Sequence, residues 1–250
     1  GVSLTTRAHE SEFKRVTMAD LMTECNYLNP DVEVIAEVNT AESFETFAES
    51  LNTGHGLIGT THAGDIETLV NRVVERGLAP YLMREIDLVV FPHRVDGERY
   101  VGEVVELLDE HEFQELDRDE RCGVITKEGT SIYWNTVAWR TTDGDFRFAY
   151  RDPDLGDEDR FLEMRAFDRI ARATDRSRTA VVDEFHAKHR YVRYLIQEGI
   201  DDFDALFDLL ADLETNEAAT VERLSRDASG GSDAGNQVAN DGGTRSGTDG

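Results

Sequence analysis

Two runs decide how this chain is read: Asn29-Pro30-Asp31-Val32-Glu33-Val34-Ile35-Ala36-Glu37-Val38 and, one helix later, Thr53-Gly54-His55-Gly56-Leu57-Ile58-Gly59-Thr60-Thr61-His62-Ala63. Each holds a short apolar stretch of the length expected for a buried strand of a parallel sheet. Between them Phe44, Phe47, Ala48 and Leu51 fall on one helical face. Strand, helix, strand in this order predicts a βαβ unit. Open α/β sheets bind ligands beyond the C-terminal ends of their strands, which is where Glu37 sits. A carboxylate at that place can orient a water or help organise a magnesium ion, and an imidazole from the neighbouring strand, such as His62, can sense a phosphate. Taken singly, each residue has an ordinary alternative, a solvated loop acid and a structural histidine.

Working outward, residues 1–15 read as a strand end running into a polar loop. Thr17 then caps a helix carrying Met18, Leu21, Met22 and Cys25, which Pro30 ends. Downstream of the second run, residues 66–77 predict a helix closed by Gly77, and Leu88 to Phe91 a buried strand. Alternation over residues 99–108, 131–140 and 146–150 predicts an antiparallel addition, with Thr141 to Asp145 as the turn between its last two strands. A polar linker follows at 151–160. Residues 161–174, 179–199 and 202–213 then read as three helices, with Gly199 and Asp201–Asp202 separating the last two. The expected division is therefore an α/β core over 1–108, the antiparallel addition over 109–155, a helical subdomain over 156–215 and a disordered tail over 225–250.

Composition narrows the function. Fifty-two acidic residues face 26 basic ones, a formal net charge of -26. Such a field repels phosphate backbones and anionic lipid, so no nucleic-acid partner is expected. Because the acids are spread along the chain and only Lys14, Lys127 and Lys188 are lysines, the pattern reads as adaptation to high salt. Cys25 and Cys122 lack metal-site spacing and read as free thiols, and His186 and His189 beside Lys188 and Arg190 make a poor cation site, so no metal site is expected. Tyr133, Trp134 and Trp139 read as packing residues. No apolar run approaches the roughly 18 residues that span a bilayer, and the expectation is a cytoplasmic protein.

The spacing of the two opening runs resembles the Walker B and histidine-box region of the ATPases of type II and type IV secretion, pili and the archaellum. The likeness continues through Asp87 to Val90, through residues 94–107, and through the helical stretch from Arg190 to Leu210, which resembles the archaeal branch. It spans most of residues 1–215. What the resemblance implies is the later part of a RecA-like core with an antiparallel β addition and a small helical subdomain. It also implies a hexameric motor under a membrane platform protein, at the inner face of the cell membrane. Glu37 and His62 would take the catalytic positions, and Arg7, Thr53, Gly54 and His55 would line the nucleotide.

The chain departs from that family in two ways. None of its lysines follows a glycine, so it holds no phosphate-binding loop. ATP and Mg2+ would be held only if an upstream segment or a partner subunit completed the site. Three family arginines are also replaced, by Tyr27, Asn29 and Asn39, and loss of such a cation costs about three to five orders of magnitude in phosphoryl transfer. Three expectations follow. One is a degenerate or split secretion-ATPase subunit, not autonomous in hydrolysis, that assembles with itself or with a complete secretion ATPase. Another is the C-terminal part of an active ATPase whose loop is encoded upstream, and the third is a non-catalytic scaffold.

Overall fold

The computed structural model describes residues 2–7, 14–51, 56–116, 121–148 and 164–230. The chain is mixed α/β and forms two compact units, Gly1–Val182 and Asp183–Gly250.

The first unit opens with α1 (Met18–Leu28), capped reciprocally: Asp20 N–H donates to Thr17 Oγ1 at 3.2 Å and Thr17 N–H to Asp20 Oδ2 at 2.8 Å. It ends where Asn29 takes a left-handed φ of 45°, one residue before Pro30. Then come β1 (Val32–Ile35), α2 (Ala41–Leu51) and β2 (Gly56–Gly59), and β1 and β2 pair in parallel from Val32–Gly56 to Ile35–Gly59. This is the expected βαβ unit. Its helix buries Phe44 and packs Phe47, Ala48 and Leu51 on the core with Ile35 and Val38. The strands, however, are covered on one face only. Alternation turns Glu33 and Ile35 inward and leaves Val32, Val34 and Ile58 exposed, where a strand buried on both faces was expected. Glu33 lies close enough to α1 to help burial push the Cys25 thiol up.

Helix α3 (Ile66–Glu75) buries Ile66, Leu69, Val70 and Val73. Asp65 caps it by accepting from Thr68 N–H, and Gly77 at φ 99° closes it, with Leu78 N–H donating to Val73 O and Gly77 N–H to Val74 O. A 3-10 turn (Pro80–Glu85) leads into the antiparallel sheet.

That sheet is larger than expected and starts earlier. Strands β3 (Leu88–Val95), β4 (Glu98–Leu108), β5 (Cys122–Lys127), β6 (Thr130–Arg140) and β7 (Phe146–Phe148) pair in the order β3-β4-β6-β5, with β7 on the far part of β6. The Leu88 to Phe91 strand therefore belongs with the antiparallel sheet and not with β1 and β2, and a boundary at residue 108 would cut the sheet. Its hairpins turn on Asp96-Gly97 (φ 52° and 91°) and Glu128-Gly129 (φ 50° and 78°). Positive φ at both central residues matches the right-handed twist of the strands. The Thr141 to Asp145 turn closes as expected, Thr141 N–H donating to Asp145 O at 2.7 Å. Two bulges interrupt β4 and its neighbours: Gly102 is the extra residue opposite Phe91 and Pro92, and Val137 the extra residue opposite Val104 and Val105. Pro92 is tolerated there because a bulge relaxes the demand for a ladder donor.

After the short α4 (Glu110–Gln114) comes α5 (Arg165–Ala173), which joins this unit through charge. Arg169 donates to Glu112 at 2.6 Å, Leu107 O at 2.8 Å and Asp87 at 3.0 Å. Glu106 of β4, 1% exposed, accepts from Ala166 N–H at 2.8 Å in the first turn of α5. The helix expected to open a separate helical subdomain is thus fastened to the sheet. Val181 and Val182, early in α6 (Arg178–Gln197), pack on its Phe167 and Ala171.

The second unit is a helical hairpin of the rest of α6 and α7 (Phe203–Gly230). Gly199 at φ 63° ends α6, and Ala205 N–H donates to Asp202 Oδ1 at the start of α7, the two signals expected. Leu195, Leu209 and Leu213 form its core. The helix axis breaks at Asn216 (φ -154°), whose side chain recaps the chain at Ala219 N–H, and the helix then runs to Gly230, past the compositional change at Ser225. The linker at 151–160 and residues 231–250 of the expected tail lie outside the described residues.

Burial pushes the Glu106 carboxyl from 4.5 up to about 7, against the lowering effect of the Ala166 amide and Arg169. A raised acid pKa means the fold binds the proton more tightly than the unfolded chain. Its stabilising contribution is complete below about 4.5 and is lost as pH rises through about 7. Glu106→Gln, which copies the neutral acid, should flatten the pH dependence of unfolding between these limits. At pH above 7 it should gain on the order of 2–3 kcal/mol over the wild type, read from the fluorescence of Trp134 and Trp139 during denaturant unfolding.

Candidate functional site

Parallel pairing carries Glu37 and His62 to the same end of the two-stranded sheet, and hydrogen bonds past the ladder then draw the two loops together. Val38 N–H donates to Thr60 O at 2.7 Å, Thr60 N–H to Ile35 O at 3.4 Å, and the Thr60 hydroxyl to Ala36 O. His62 Nε2 reaches Glu37 Oε1 at 3.1 Å. An ionised carboxylate only accepts, so Nε2 carries the proton in this contact. The two side chains remain 75% and 61% exposed, and so screened a pair adds little to stability.

Asn39 builds the rest of the cluster. Its Nδ2 donates to Glu37 Oε1, while its Oδ1 accepts from Arg72 Nη2 at 3.2 Å and from the Thr61 hydroxyl at 3.4 Å. Arg72, half-buried on α3, keeps Nε buried without a hydrogen-bond partner. Nothing in its local spacing marks Arg72 in the sequence, because its place depends on how α3 docks. Asn39, read as a lost arginine, ties the carboxylate to the guanidinium of another element. Asn29 stands where a left-handed residue is needed, and Tyr27 is exposed.

The other candidates fall elsewhere. Arg7 forms an isolated bridge with Val16, and its Nε donates to Lys14 O at 2.7 Å. Its described contacts thus belong to the N-terminal bridge. Thr53, Gly54 and His55 lie outside the described residues. Trp134 packs on the core, Tyr133 meets Phe113 with ring centroids 5.0 Å apart, and Trp139 lies under the Arg121 guanidinium at 4.3 Å. A cavity of about 400 Å³ between α3 and β5, lined by Ile66, Glu67, Val124, Lys127 and Trp134 among others, includes neither Glu37 nor His62.

Imidazole and carboxylate are in direct contact through Nε2 and Oε1, so a proton can pass between them along that hydrogen bond. Among the described residues no three His, Cys, Asp or Glu side chains group as a metal ion would require, and no lysine follows a glycine to cradle phosphates. Compared with family models and with curated proteins, the chain matches none.

Gly59 sets the approach of the second loop. A Cβ there would lie 2.9 Å from the Phe47 ring of α2. Gly59→Ala should therefore destabilise the first unit by about 1–3 kcal/mol. Gly64→Ala, which meets nothing within 4 Å, should stay within about 0.5 kcal/mol of the wild type. Denaturant unfolding of the two variants checks the contrast.

Proposed function

We propose that this protein is a secretion-type ATPase-like subunit of a type II/IV secretion, pilus or archaellum assembly system, one that does not hydrolyse ATP on its own. The observation that carries the reading is the convergence of Glu37 and His62, 3.1 Å apart at the C-terminal ends of two parallel strands, from runs whose spacing resembles the Walker B and histidine boxes. In this reading the βαβ unit is part of a RecA-like core. Glu37 orients the attacking water, His62 senses the γ-phosphate, and Arg72, held by Asn39, supplies a positive charge near the carboxylate. When bound, ATP with Mg2+ would supply the hydrolysable phosphoanhydride. The phosphate cradle comes from a partner subunit, a complete secretion ATPase with which this chain assembles in the cytoplasm beneath a membrane platform protein. That no helix among the described residues is long and apolar enough to cross a membrane accords with this placement.

A second reading is favoured by the open face of the two-stranded sheet. Val32, Val34 and Ile58 are exposed there, a surface suited to further layers of a larger sheet. The cradle would then be encoded upstream in the same polypeptide.

Magnesium-dependent ATP hydrolysis in high salt, measured on the chain alone and mixed with a complete secretion ATPase from the same cell, tests the proposal. The expected result is silence alone and altered turnover in the mixture, with the alteration lost in Glu37→Gln and in His62→Ala. Hydrolysis by the chain alone that disappears in Glu37→Gln would overturn non-autonomy, and an unchanged mixture would leave the chain a scaffold.

A further inference from the structure

The antiparallel sheet has an open side along β5. Among the described residues β5 pairs with β6 alone, and the strand order ends there. The bond from Thr136 N–H to Arg121 O at 2.8 Å sets the alternation of this ladder. Gly123, Ile125 and Lys127 therefore direct their N–H and C=O to β6, while Val124 and Thr126 direct theirs away from it. No described hydrogen bond reaches these four outward groups, and Val124 is 50% exposed.

Beside this edge lies the cavity of about 400 Å³ between the start of α3 and β5. Side chains of paired residues share a face, so Gly123, Ile125, Lys127 and Trp134 all turn to the α3 side. Ile66, Ile125 and Trp134 give the cavity apolar walls. Glu67 and Lys127 line it too, neither with a described ion pair, and the Trp134 indole N–H makes no described hydrogen bond. The indole lies across Gly123, where a Cβ would meet it at 3.0 Å, so glycine there lets the ring extend over the edge strand.

An apolar ligand could fill such a cavity but would leave the outward peptide groups unmatched. Donors and acceptors repeated two residues apart along a strand are matched by another extended backbone. We infer that β5 and α3 form a docking groove for an extended peptide segment of a partner protein, which adds to β5 as a further strand of the sheet. Antiparallel to β5, the segment bonds Val124 and Thr126 through its own alternate residues. Its intervening side chains face α3, an acidic one opposite Lys127 and an apolar one opposite Ile125 in the cavity. Lys127 selects the acid, being one of three lysines in a chain of net charge -26 and lacking a described acidic partner. A second copy is disfavoured as the occupant. Two β5 edges paired antiparallel would bring both α3 helices to one side of the seam, with Glu67 and its counterpart crowded together. The inference uses no feature of the Glu37–His62 cluster and stands or falls without nucleotide.

The test is titration of the 15N-labelled full chain with a blocked heptapeptide, Ser-Glu-Thr-Val-Thr-Val-Ser, followed by NMR. Saturable binding should move the amide resonances of Val124 and Thr126 and slow their hydrogen exchange. N-methylation of the two peptide threonines, which face β5, should weaken binding at least roughly tenfold, and N-methylation of the central valine by no more than about twofold. Thr126→Pro removes only an outward N–H, so it should weaken binding to a similar degree while the β6 ladder persists. Lys127→Glu should weaken binding about three- to fivefold, and lysine in place of the peptide's glutamate should restore it. A lysine that merely guards the edge against other sheets would leave that exchange without effect. No binding at millimolar peptide, equal effects of the two methylations, or a charge exchange without rescue would each overturn the inference. Val124 and Thr126 amides already protected in the isolated chain would also overturn it, assigning the edge to another part of this chain. So would a concentration-dependent dimer abolished by Thr126→Pro, which would assign it to a second copy.

Discussion

The candidate site depends on a parallel ladder only four residues long. From Val32–Gly56 to Ile35–Gly59 the backbone fixes the relative height of two loops, and the bonds among Ile35, Val38 and Thr60 extend that register past the last paired strand residue. A carboxylate and an imidazole separated by 25 positions thereby meet with little help from their own attraction. Their pairing is a consequence of strand register and not its cause, which is why two exposed side chains can be positioned without being immobilised by burial. Asn39 extends the same economy, since one amide connects Glu37, Thr61 and Arg72 across three segments.

Charge inside the first unit is handled differently from charge at its surface. The acid surplus spreads over exposed positions, but Glu106 and Glu112 are buried, both near the Arg169 guanidinium, whose side chain is only 19% exposed. A planar guanidinium presents several donors in a fixed fork, and here it satisfies two carboxylates and a backbone carbonyl at once, which an ammonium on a flexible stem does less well. Glu106 keeps one oxygen without a hydrogen-bond partner, and the protein accommodates it by favouring the neutral acid.

Much of the local architecture was legible because it is written in short-range chemistry. Thr17, Gly77, Gly199 and Asp202 act at helix ends as their residue types predict, and Thr141 to Asp145 turns as read. Glu37 and His62 were legible as a pair because both follow strands of one βαβ unit. Long-range partnership was not. The strand at Leu88 reads alike whether it joins a parallel or an antiparallel sheet, and only its pairing with β4 settles the matter. The Asp96-Gly97 and Glu128-Gly129 turns carried the missing information, since dipeptides able to take positive φ announce hairpins, and β5 goes unread without them. Arg169, Glu106 and Arg72 lie beyond such reading, because what they do is decided by elements 30 to 80 residues away.

The paired bulges around β4 have a consequence for how this protein can vary. Gly102 and Val137 each add one residue to a strand whose side chains alternate between faces, so β4 and β6 are not two uniform strands but segments of opposite parity joined at neighbouring points. Losing either extra residue would not merely shorten the sheet; it would exchange the two faces of everything beyond that point, setting Val105 and Leu107 on the face where buried Glu106 meets α5 and turning the Glu106 carboxyl into the apolar core. Glycine at 102 is held there by the His93 ring, against which any Cβ would fall at 2.8 Å. Descendants of this sequence are therefore free to lengthen their loops by any number of residues, while these strands can change only in steps that preserve parity.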